Sequence, residues 1–181
     1  MDVVRKALES RVRRLNMLAP SGGAANTFGN PIPVFHLSRQ QALGEDPLGA
    51  ARQTGWRFLV TGPQNSGFVE VHANTEGTQP RYGGLTHGVL PQRLYDACVL
   101  AERQLAKTKV EYEPRILDVP SMQFVSLWLH GQDEPYISLL DGSPAGSARL
   151  DLSYDLASRV KAQMSSRPPA VAPAAGAPPS N

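Results

Sequence analysis

The pattern of this chain points to an α+β protein: an antiparallel sheet of about four or five strands in two hairpins flanking a central helix, with N- and C-terminal helices. Three observations carry that expectation. Residues 56–73 hold two short runs of alternating apolar and polar residues around a turn-rich break, which is how a hairpin with one buried face reads. Residues 90–107 repeat apolar positions at spacings of four, three and four, as an amphipathic helix does. Residues 110–140 return to short apolar runs separated by Pro and Gly, a second hairpin.

The elements follow in order. Over residues 2–18, Asp2 can cap a helix whose stripe is Val4, Leu8, Val12 and Leu15. Its remaining surface is basic, with Arg5, Lys6, Arg11, Arg13 and Arg14 against Asp2 and Glu9. Pro20 ends it, so residues 1–20 form a basic amphipathic unit. Residues 21–55 read as a Gly/Pro-rich linker or irregular segment. Gly29, Pro31, Pro33, Gly44, Pro47 and Gly49 break it, leaving Val34, Phe35 and Leu37 for a short strand and Ser38–Leu43 for a helical turn.

Residues 56–165 are the expected α+β core. Trp56, Phe58 and Val60 share one side of the first strand, and Val69, Val71 and Ala73 one side of the second, around the turn formers of Gly62–Gly67. Residues 74–88, with Gly77, Pro80, Gly83, Gly84 and Gly88, read as a long loop. Pro91 suits the first turn of the following helix, whose stripe runs Leu94, Cys98, Ala101 and Leu105. Beyond Val110–Val119 and a break at Pro120, the run Met122–His130 has apolar residues on both faces, the mark of a central strand. Tyr136–Leu140 returns beside it. Leu152, Leu156, Val160 and Met164 set a last helix over residues 150–164. Residues 166–181, Pro- and Ala-rich with almost nothing to bury, are expected to be a disordered tail.

Composition narrows function mainly by exclusion. At 181 residues, with 41% apolar and 19% charged residues, the chain suits one folded domain. A net charge of +2 is too small to make nucleic acid the expected partner of the whole domain. One cysteine, Cys98, forbids an internal disulfide. No leader-like run and no span of ~20 apolar residues is present, so the expected setting is cytoplasmic and the expected partner is another protein or a further copy of the chain.

Candidate chemistry is sparse. Glu70 and His72 lie two apart on one strand and so share a face, and His87 closes the long loop. Together they are the candidate catalytic residues of a small hydrolase-like enzyme. Cys98 falls on the apolar stripe of its helix, where a thiol reads as a small buried hydrophobe. Gly62–Gly67 is followed by Phe68 and a strand, not by the Lys and helix of a phosphate loop. There is no G-x-S-x-G, C-x-x-C or H-E-x-x-H, and neither a metal site nor a cofactor is expected. Arg81 and Tyr82, beside Gly83 and Gly84, suit a ligand- or partner-contacting loop, as do Arg5, Arg13 and Arg14 of the basic helix. The reading that follows is a non-catalytic protein-binding or assembly module. The alternatives are the small enzyme just described and, more weakly, nucleic-acid binding through the basic helix.

Overall fold

The computed structural model describes residues 27–61, 66–73, 80–142 and 150–166. The helix expected over 2–18, with Arg5, Arg13 and Arg14, lies outside them, as does the tail beyond residue 166. The described residues form one mixed sheet of eight strands in the order β4-β3-β2-β1-β5-β6-β7-β8. This corrects the expected sheet of four or five antiparallel strands. The strands are β1 (Thr27–His36), β2 (Arg52–Thr61), β3 (Ser66–His72), β4 (Arg81–His87), β5 (Glu113–Val119), β6 (Phe124–His130), β7 (Tyr136–Asp141) and β8 (Leu152–Ser153). All neighbours are antiparallel except β1 and β5, which run parallel through Val34↔Ile116, Phe35↔Leu117 and His36↔Asp118.

Two of the extra strands hid behind their own turn formers. β1 lies in the middle of the sheet, within a segment that reads as a linker, because Pro31 and Pro33 signal a break. The sheet accommodates them locally. Both prolines pair with β2 (Pro31↔Phe58, Pro33↔Trp56), while β5 joins only from Val34 onward. Residues two apart turn their nitrogens to the same side, and the side away from β2 is open there. β4 (Arg81–His87) occupies the second half of the expected loop 74–88; the part at 74–79 lies outside the described residues. Its Gly83 sits at a bulge where an added Cβ would strike the His72 ring, so the glycine marks a close approach rather than a loop.

The other elements follow their sequence signals closely. The hairpin forms as β2 and β3, with Trp56↔Val71 and Phe58↔Val69 in register. Short helices α1 (Arg39–Ala42) and α2 (Pro47–Ala50) are fixed by side chains. Ser38 Oγ accepts from the Gln41 N–H at 3.3 Å while the Ser38 N–H donates to Gln41 Oε1 at 2.9 Å, a capping box. Asp46 Oδ1 accepts from the Gly49 N–H at 2.9 Å. Helix α3 (Val89–Leu105) crosses one face of the sheet and buries Leu94, Ala97 and Ala101 against Ile32, Val34, Leu59, Ile116 and Leu127. β6 is buried on both sides, Val125, Leu127 and Leu129 towards α3 and Phe124 and Trp128 away from it. The last helix, α4 (Leu156–Ser166), begins later than expected because Leu152 belongs to β8. Its Leu156, Val160 and Met164 are fully buried on the far face with Leu37, Leu117 and Phe124.

Candidate functional site

The sheet register decides the fate of the expected catalytic set. Glu70 pairs with Arg57 and Gly84, and His72 with Gly55 and Arg81, so these two do share the α3 face. His87 pairs with Gly67, whose odd position in β3 puts it on the opposite face. It also lies five positions along the strand from His72, or about 17 Å. The three side chains therefore form no common site.

Glu70 is committed elsewhere. Arg57, only 8% exposed, donates from Nε to Glu70 Oε1 at 2.9 Å, and its Nη2 lies 2.9 Å from the same oxygen and 3.5 Å from Asp118 Oδ2. The guanidinium stacks 4.6 Å above the Phe68 ring, and His36 Nε2 reaches Asp118 Oδ2 at 3.6 Å. A nearly buried cation held between two carboxylates is a structural tie. Arg81 and Tyr82 are exposed on edge strand β4, Tyr82 paired with Val71. His130 Nδ1 lies 2.9 Å from Glu134 Oε1, and the Trp128 indole N–H donates to the same carboxylate. Among the described residues, no three His, Cys, Asp or Glu side chains gather closely enough to hold a metal ion, and no helix is long and apolar enough to cross a membrane.

One concave feature that the described residues build is a cleft of about 550 Å³ under the C-terminal half of α3. Its cause is the proline pair. Before Val34 the first strand has no partner on its β5 side, and the sheet splits between Gly29–Ile32 of β1 and Tyr112–Pro114 leading into β5. Leu59, Leu127 and Leu129 form the floor, and Ala101 and Leu105 of α3 with Ala106 at its C-terminal cap form the roof. Small residues at Gly29, Ala101 and Ala106 make the room. The polar groups in its lining include the Cys98 thiol, the exposed Glu102 carboxylate and Asn30.

That lining is mostly aliphatic. Burial, reinforced by the charge of Glu102, pushes the Cys98 thiol up to about 11 from 9.0, so it stays protonated and poorly nucleophilic at neutral pH. Among the described residues, no histidine, lysine or arginine lines the cleft. A cleft of roughly 300–1,000 Å³ with apolar walls and a few polar groups is the usual form of a binding site. The sequence does carry its signal, in Pro31, Pro33 and Pro114 on two strands that would otherwise pair, yet those prolines read as breaks until the strand order is known. No known protein-family model, no curated protein and no solved structure matches this chain.

Proposed function

We propose that this chain is a non-catalytic binding module that takes an apolar side chain of a partner protein, or of a further copy of itself, into the cleft beneath α3. The observation that carries the proposal is the lining: aliphatic floor and roof, a protonated thiol, and a carboxylate without a catalytic companion. Apolar anchors seated in such clefts are how interfaces concentrate their affinity. The alternative of a small hydrolase loses its support with the separation of His87 from His72 and the engagement of Glu70 by Arg57. Nucleic-acid binding has the basic stretch of residues 5–14 and the exposed Arg81 and Tyr82 in its favour, against a net charge of +2.

A cleft-filling substitution tests the proposal. An added Cβ at Gly29 meets Leu59 Cβ at 3.6 Å, an ordinary contact, so Gly29→Leu projects into the cleft without breaking the strand. The tagged Gly29→Leu chain, expressed in the source cells, is expected to lose the partner that the unsubstituted chain retains. Its melting temperature should stay within about 4 °C of the parent, the scale of a ~1 kcal/mol change. Equal retention by both chains would contradict the proposal.

A further inference from the structure

Phe58, Val60, Val69 and Val71 form a separate apolar cluster on the face turned away from α3, each between 3% and 8% exposed. Among the described residues, the partly buried side chains packed against it are Trp56 of β2 and Leu85 of the neighbouring β4, so they too belong to the sheet. The helices on that face, α1, α2 and α4, contribute instead to the cluster over β5, β6 and β7. Strand side chains stand roughly perpendicular to their sheet and do not cover one another's ends, so a face this buried needs a second layer across it. No described element supplies that layer.

We propose that the layer is residues 2–18 of the same chain, docked as a helix through Val4, Leu8, Val12 and Leu15. Elimination supports this occupant over other parts of the chain. The segments 62–65, 74–79, 143–149 and 167–181, also outside the described residues, hold one large aliphatic side chain among them, Val171. Placement supports it too. The chain enters the sheet at Thr27, opposite Thr61, and Phe28 pairs with Val60, so β1 begins at the border of the cluster. Seventeen helical residues span about 25 Å, comparable with the ~23–33 Å of strands seven to ten residues long. Residues 19–26 can extend over ~26 Å, enough for the helix to turn back across β2 and β3. At 100° per residue, Lys6, Arg13 and Arg14 then point away from the sheet, with Arg5 and Arg11 along the flanks. The docked helix thus closes an apolar face and gives the module a basic outer surface.

Hydrogen–deuterium exchange on the full chain, with light scattering on the same sample, tests the assignment. In the monomer, amides of residues 3–18 are expected to exchange at least ~tenfold more slowly than an unstructured reference. The double substitution Leu8→Asp with Val12→Asp is expected to abolish that protection, speed exchange in β2 and β3, and raise binding of an apolar dye, while α3 stays protected. Exchange of residues 3–18 at the unstructured rate would overturn the proposal. So would a dimer whose β2 and β3 protection survives the double substitution, which would assign the face to a second copy. If the substituted chain unfolds throughout, α3 included, the unsubstituted chain's exchange over residues 3–18 alone decides.

Discussion

Arg57 is the side chain on which the polar interior of the sheet depends. Its guanidinium bridges Glu70 and Asp118 while 8% exposed, and removing it strands two partly buried carboxylates. Arg57→Met is therefore expected to lower unfolding free energy by about 2–4 kcal/mol, somewhat below a fully buried pair because Glu70 and Asp118 retain some solvent. Urea titration measures this, and a loss below ~1 kcal/mol would contradict the bridge. Ser126 presents the opposite case. It is fully buried, and its hydroxyl has no hydrogen-bond partner among the described residues, so Ser126→Ala is expected to leave stability unchanged or raise it by up to about 1 kcal/mol in the same titration. Cys98 gives a pH signature. Its folded thiol ionises near 11 and its unaffected value is 9.0, so the stability it carries is complete below pH 9 and falls as pH rises towards 11. Alkylation of the native chain by iodoacetamide should accordingly be slow at pH 8 and keep rising about tenfold per pH unit towards pH 11, where an unperturbed thiol would level off near pH 9. The apolar stripe foretold that Cys98 packs beneath α3, but not that it is only partly buried, in the lining of the cleft. The separation of His72 from His87 was not legible, since it depends on strand register and on a bulge between Glu70 and Val71.

At the scale of elements, β7 shows how packing completes hydrogen bonding that a ladder leaves open. The β6–β7 register slips between Val125 and Ser126, passing over Leu139. The Leu139 carbonyl instead accepts from Arg93 Nε of α3 at 2.6 Å, with Arg93 8% exposed. Arg93→Met keeps the apolar stem and removes the donor. It is expected to cost about 1.5–3 kcal/mol in a denaturant titration, as the loss of a buried charge-assisted bond does; an unchanged midpoint would mean that α3 is held by its apolar stripe alone. That stripe made α3 legible, as alternation did for β2 and β3 and double-sided burial for β6. β4 and the part of β1 before Val34 were not legible, because prolines and glycines signal breaks unless the sequence also reveals an open strand side or a neighbouring ring to be accommodated.

At the scale of the molecule, strand order separates what was foreseen from what was not. Local patterns name strands one at a time, whereas the parallel β1–β5 contact joins Val34 to Ile116 across the whole β2–β4 hairpin system and α3. That single long-range pairing merges two expected hairpins into one eight-stranded sheet, and its incomplete length opens the cleft. The binding reading rests on this geometry. Native mass spectrometry of the protein drawn gently from its own source, at low salt, tests that reading. A mass corresponding to a second protein, or to a further copy of the chain, that disappears on Gly29→Leu is the expected result. A lone chain, bare or carrying a small molecule, would contradict it.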